Sequence, residues 1–319
     1  LANFNGQVSE VMGELCEKTT EQAKVFGLAS DTDFAEIDEF GVPVTQKSSG
    51  SFEVAFPVKK YAYGLGWTSD YLAMKTPAEI AASYTTLQAK DKKNIVRMVK
   101  QAIFNSTNYT FKDEFYNGVS LTVRRFWNND GASVPVNSQG TSFASHTHYK
   151  AVAASGSPTN AEIDALVSNV TEHDLTEGVG IYINASNVSK LEAISSTKFK
   201  KLRSDLMVYN ASDVTRDALN VTDISNYQVG IWDGLYPVFV KPWIPANYIL
   251  ALAIGDDKPL AWRELPFSNM QGLKLDAMVS AMPLVAQNAV RFAGVGVLNR
   301  SAGAVLYIGG TSWANPTIS

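Results

Sequence analysis

The sequence predicts an α+β fold, and three observations carry that expectation. A capped helical run spans residues 76–105 without a break. Ahead of it, residues 35–67 alternate apolar and polar with a period of two, the mark of half-buried strands. Behind it, the short apolar runs at 178–183, 248–254 and 304–308 read as buried strands, with helical stretches between them.

The bulk numbers suit such a fold. The 319 residues suffice for one large or two ordinary domains. Hydrophobic residues make up 45% and charged residues 18%, as in ordered globular chains. A net charge of -4 gives the whole chain no bulk attraction for nucleic acid. Its distribution is uneven: residues 1–40 hold nine acids against two bases, -7 locally, and leave +3 on the rest. The one cysteine, Cys16, excludes an internal disulfide and reads as a lone buried thiol. Neither a run of eighteen apolar residues nor a secretory leader pattern is present, so no membrane partner is expected.

In chain order, residues 5–26 read as an amphipathic helix. Val8, Val11, Met12, Leu15 and Thr19 share one face, and Glu10, Glu14, Glu17 and Glu21 form an acidic stripe. Gly27 is the expected stop. Phe52, Val54, Phe56 and Val58 then alternate, as do Tyr61, Tyr63, Leu65 and Trp67, with a slip of register at Lys59-Lys60. Val42 and Val44 are the expected partner strand, and Gln46-Lys-Ser-Ser-Gly-Ser51 the hairpin tip. A two-stranded ribbon is marginal alone in water, so its aromatic face is expected to lie on a neighbouring subunit.

Thr76-Pro-Ala-Glu79 opens the long helix with a cap, a proline at the first helical position and a capping box. About 29 residues at ~1.5 Å each make a rod of ~43 Å. Ile80, Tyr84, Leu87, Ile95, Met98 and Ala102 mark one face; Lys90, Lys93, Arg97 and Lys100 mark another. The basic stripe reads first as a solvated face, then as a lining for DNA phosphates or a partner for acidic residues of a neighbouring subunit. Residues 106–158 are polar and irregular, with a strand at Val119-Ser-Leu-Thr-Val123. A helix follows from Thr159 to Asn169, then a buried strand to Ile183 and a capped helix from Asn184 to about Ile194.

Catalytic chemistry finds little footing. His146-x-His148 would place both rings on one strand face, but no Cys, His or carboxylate beside it in sequence supplies further metal ligands. There is no nucleophile elbow, P-loop or G-x-G-x-x-G; Gly294-Val-Gly296 and Gly64-Leu-Gly66 read as strand glycines at bulges or close packing. Asp256-Asp257 reads as a turn, and Cys16 has no base near it in sequence. The expectation is no catalytic residue, no metal, no cofactor and no enzyme.

The ordered features resemble one family. The ribbon and long helix, then Ile181-Tyr-Ile-Asn-Ala-Ser-Asn187, then Ala289-Val-Arg-Phe-Ala-Gly-Val-Gly-Val-Leu-Asn-Arg-Ser-Ala-Gly-Ala-Val-Leu-Tyr-Ile308 are similar to the major capsid proteins of tailed bacteriophages, whose Hong Kong 97-type fold encapsulin shells share. That resemblance implies an N-terminal arm (1–34), an extended E-loop (35–75) and a peripheral domain (76–179). The last holds the spine helix 76–105 and a possible insertion at 106–158. An axial α/β domain (180–276) and return strands (277–319) follow. It further implies a virion subunit, assembled in a bacterial cytoplasm into hexamers and pentamers of an icosahedral head around double-stranded DNA. Scaffold, portal and decoration proteins are possible partners. Inter-subunit contacts would involve Lys59, Lys60, Tyr61, Tyr63 and Trp67. Some family members cross-link an E-loop lysine to an asparagine; Lys47, Lys59 and Lys60 lie in the matching loop, but no asparagine and acid identify themselves. An encapsulin-type nanocompartment is the near alternative. A secreted β-rich carbohydrate-binding or adhesive protein is the distant one, prompted by Trp67, Trp127, Trp232, Trp243, Trp262 and Trp313.

Overall fold

The computed structural model describes residues 1–27, 51–135, 137, 143, 146–174, 178–194, 197–201, 227–255, 258–276, 278–281 and 284–318. The expected partner strand at Val42 and Val44, the hairpin tip through residue 50 with its Lys47, and the pair Asp256-Asp257 lie outside those residues.

The N-terminal reading is corrected first. Helix α1 is Ala2–Gly13, and the chain then turns into strands β1, Cys16–Thr19, and β2, Ala23–Gly27. Glycine is a poor helix interior residue, and Leu15 and Cys16 just beyond it are buried by the sheet that β1 joins. Helix α1 and β1 therefore pack onto the rest of the chain. Phe4, Val8 and Met12 of α1 are core residues, and Lys92 lies 5.8 Å from the Phe4 ring.

Strand β3, Ser51–Ala55, pairs antiparallel with β2, so the described base of the ribbon is 23–27 with 51–55. The expected slip of register is a full break: Phe56, Pro57 and Val58 leave the ribbon, are all buried, and enter β4, Lys59–Thr68. Thr68 caps the short α2, Ser69–Met74. The long helix α3 runs Pro77–Phe104 with Thr76 as its cap; both halves of the capping box with Glu79 are formed. Leu87, Ile95, Met98 and Ala102 are buried, as their spacing requires. A hairpin of β5, Tyr109–Asp113, and β6, Val119–Val123, follows.

Two sheets organise the rest. The chain continues as β7, Tyr149–Ala151; α4, Asn160–Thr171; β8, Val179–Ile183; a short turn of helix capped by Asn184; and α5, Val188–Ile194. Then come β9, Phe199–Lys201; β10, Tyr227–Trp232; β11, Tyr236–Val240; and β12, Tyr248–Ala253. Strands β13, Leu260–Glu264; β14, Leu273–Leu275; β15, Val279–Ala281; β16, Leu284–Val297; and β17, Gly303–Tyr307 complete the order. The first sheet is built on β16, which pairs with β4 along one side and with β13, β14 and β15 along the other, β1 lying outside β13. The second sheet has the order β7-β17-β12-β8-β11-β10-β9.

Strand β12 shows why its sequence is apolar throughout. Its Tyr248, Leu250 and Leu252 join the core shared with α3 and the first sheet, while Ile249 and Ala251 join the core beneath α4. A strand buried on both faces has no polar side to keep. Sheet membership does not follow chain order. Strands β13 and β14, inside 180–276, belong to the first sheet, and β17, beyond 277, belongs to the second. Among the described residues no helix is long and apolar enough to cross a membrane.

Candidate assembly surfaces and a histidine cluster

The aromatic face expected to meet a neighbour is largely covered within the chain. Trp67 is buried against Tyr84 of α3, with ring centroids 6.2 Å apart. Tyr61 is half-buried, with the Arg97 guanidinium 5.7 Å from its ring. Of β4, Leu65 and Trp67 are buried in the core that they share with α3. Tyr63, Lys59 and Lys60 remain exposed. Exposed apolar side chains gather at the far end of the same strands: Val279 in β15, and Leu284, paired with Thr68.

The basic stripe divides in two. Lys90 and Lys93 are exposed, whereas Arg97 and Lys100 are half-buried. Arg97 also donates to Asn94 at 2.6 Å, and a cavity of 270 Å³ beside it runs between α3 and β4. Burial, with neighbouring Lys93, lowers the ammonium pKa of Lys100. The acidic stripe does not survive as a helical face. Glu10 lies in α1, Glu14 at its C-cap, Glu17 in β1 and Glu21 beyond it, all four exposed. Among the described residues, no ion pair joins these four to the basic stripe.

Glu14 instead sits 3.7 Å from the ammonium of Lys241, which is 1% exposed. Burial pushes Lys241 down to about 8, partly opposed by Glu14. An unfolded lysine titrates near 10.4, so between about pH 8 and 10.4 the unfolded chain binds more protons and stability rises with pH. Denaturant titrations at stepped pH should show that rise, and Lys241→Met should abolish it while being relatively more stable at pH 7 than at pH 10.

Buried charges elsewhere are structural. Arg291 grips Asp91 of α3 through both its Nε and Nη2, at 2.7–3.0 Å, and also reaches Asn5 of α1 at 3.2 Å. Arg263 Nη2 meets Asp113 at 2.6 Å with both side chains fully buried, and its Nη1 donates to the Phe56 carbonyl at 2.8 Å. Five of the six tryptophans, all but Trp313, are buried, and Trp313 packs against Tyr149, Tyr248 and Tyr307. They build cores rather than a sugar-binding platform. Cys16 is buried too, and burial raises its thiol pKa, as an inert core thiol requires.

The expectation that nothing completes His146-x-His148 is overturned. Helix α4 ends at Thr171, and Asp174 adopts φ 60, so the intervening turn presents Glu172 and His173 together. The Nε2 atoms of His146 and His148 are 3.0 Å apart, and those of His148 and His173 3.3 Å. A Glu172 carboxylate oxygen lies 3.0 Å from His146, 3.5 Å from His173 and 4.0 Å from His148. On its other side the His148 ring contacts the Gly303 carbonyl of β17 through Nδ1 at 2.8 Å. Burial holds His148 well below the usual imidazole range, and burial plus His146 pushes His173 down to about 4. The sequence showed half of this cluster. The other half lies twenty-odd residues on and depends on where α4 docks.

The class defined by this geometry is a mixed α+β protein with two large sheets and a long capped helix. Its fold is that of the phage major capsid proteins. It matches a chain of Mycobacterium phage Patience with a TM-score of 0.75 and 19% identity, over 99% of this chain and 87% of that one. A capsid chain of the empty GTA particle gives 0.53 and 14%, over 94% and 90%. A chain of Gordonia phage Cozz gives 0.50 and 13%, over 93% and 85%. No protein-family model matches the chain, and no curated protein is similar to it in sequence.

Proposed function

We propose that the chain is a major capsid subunit that assembles into hexamers and pentamers of an icosahedral phage head enclosing double-stranded DNA. The observation that carries this reading is the fold likeness to the Patience chain over nearly the whole length. In this reading the first sheet with α3 is the Hong Kong 97-type peripheral domain, and the second sheet with α4 is the axial domain. The ribbon of β2 and β3 belongs to the E-loop, which then begins nearer the N-terminus than residue 35. Residues 1–22 are an arm that braces its own subunit. Contacts around the ring are heterologous, using exposed Tyr63, Lys59 and Lys60 and the apolar end at Val279 and Leu284. Lys90 and Lys93 meet packaged DNA without reading its sequence. The chain acts as a structural protein without enzymatic activity, in the virion, alongside scaffold, portal and decoration partners. A nanocompartment of the encapsulin type would share the shell and differ in holding protein cargo instead of DNA.

Size-exclusion chromatography and negative-stain microscopy test the reading. Closed shells are the expected result, and a chain that stays monomeric at high concentration overturns it. Lys90→Glu with Lys93→Glu should leave shell formation intact and reduce DNA retention, increasingly so at higher salt. Unchanged packaging in that variant would remove the DNA contact.

A further inference from the structure

We propose that His146, His148, Glu172 and His173 form a four-ligand site for a divalent transition metal, with zinc the best fit, which fastens the turn after α4 to the segment leading into β7. The ligand atoms all lie within 4.8 Å of one another. A tetrahedral zinc site with bonds of about 2.0–2.1 Å has ligand-to-ligand edges of roughly 3.4 Å. Five edges of this cluster span 3.0–4.0 Å around that value. A small inward or outward shift of four side chains reaches the bonded geometry.

The proton inventory supports an ion at the centre. A carbonyl oxygen only accepts, so the contact with Gly303 places the neutral His148 proton on Nδ1. Its Nε2 is then a bare lone pair, aimed at two more imidazole nitrogens and a carboxylate. This is the tautomer a metal-bound histidine takes when its other nitrogen is held by a carbonyl. Three imidazoles and a carboxylate suit zinc or cobalt far better than calcium or magnesium, which take oxygen ligands. With four protein ligands the site is closed, which assigns it a structural role and no open position for hydrolytic water.

The mechanical consequence follows from topology. His146 and His148 precede β7, which is paired with β17, and Glu172 and His173 follow α4, which covers the second sheet. His148 is fully buried, and Phe143 packs its ring 4.9 Å from that of His173. A bound ion therefore ties the polar excursion after β6 to the α4 layer. It closes a loop of about twenty-five residues, and such closure stabilises the folded chain.

The test uses the full chain, first as purified and then after EDTA treatment. Elemental analysis should find about one zinc per chain. Cobalt(II) added to the EDTA-treated protein should give the intense visible absorption of tetrahedral coordination, and micromolar zinc should raise its unfolding temperature by several degrees. His146→Gln with Glu172→Gln should weaken zinc binding at least tenfold and abolish that thermal shift. Both residues are partly exposed, so an unchanged far-ultraviolet dichroism should confirm folding. If the variant does not fold, the cobalt titration of the native chain decides alone. Substoichiometric zinc with no tetrahedral cobalt spectrum would overturn the site, as would undiminished binding in the folded variant.

Discussion

Replacing Asp113 by alanine is expected to destabilise the unassembled chain by about 3–5 kcal/mol, because the change strands a fully buried guanidinium. Arg263 reaches Asp113 at 2.6 Å, and its Nη1 donates to the Phe56 carbonyl at 2.8 Å. Asp113 also accepts from the Phe115 amide at 3.2 Å, holding the turn of the β5–β6 hairpin. The pair therefore binds the hairpin to β13 and to the junction Phe56–Val58, where the ribbon leaves the first sheet. The decisive control is the double replacement Asp113→Leu with Arg263→Met. Swapping a buried ion pair for apolar groups of similar volume is often neutral or stabilising, so the double variant should recover most of the loss. Equilibrium denaturation of both variants would check this; a single variant within about 1 kcal/mol of the native chain would sink the claim.

The legible parts of the fold were those with local causes. Thr76 and Glu79 carry the start of α3 within four residues, and Thr159 with Glu162 does the same for α4, where both capping boxes form. The apolar run of β8 is buried at every position, as a central strand requires. The failures share another cause. Glutamates at 10, 14, 17 and 21 recur at helical spacing, yet Cys16 pairs with Leu260 in parallel register, a partner no local period reveals. Gly13 was the one nearby hint. Trp67 looked like a contact waiting for a neighbour because its cover, Tyr84, lies on the face of a helix whose docking depends on β16. The histidine cluster needs β7 on β17 and the positive φ of Asp174 before its four ligands meet. Buried Arg263 and Arg291 were equally invisible, since an arginine in an alternating strand reads as solvent-facing until its carboxylate is found.

Gly294→Ala is expected to cost about 3 kcal/mol, at the upper end for overpacking, and to prevent shell assembly even in chains that remain folded. A Cβ at that position would lie 2.0 Å from the Pro57 carbonyl oxygen and 2.7 Å from its carbonyl carbon. Both are backbone atoms of the junction Phe56–Val58, so no rotamer change relieves the clash. Strand β16 cannot retreat either: Gly294 is in register with Arg263 of β13, and the next residue back, Ala293, pairs with Lys59 at the start of β4. The junction must move instead, pulling the Phe56 carbonyl from Arg263 and re-aiming the ribbon proposed to reach a neighbouring subunit. Gly66→Ala is the matched control on the paired strand β4, where an added Cβ meets nothing within 4 Å. It should leave stability within about 0.5 kcal/mol, and shells should form as before. Parallel denaturation and negative-stain microscopy of the two variants separate the outcomes. Native-like stability and normal shells for Gly294→Ala would mean that the crossing of β16 over Pro57 does not set the direction of the ribbon.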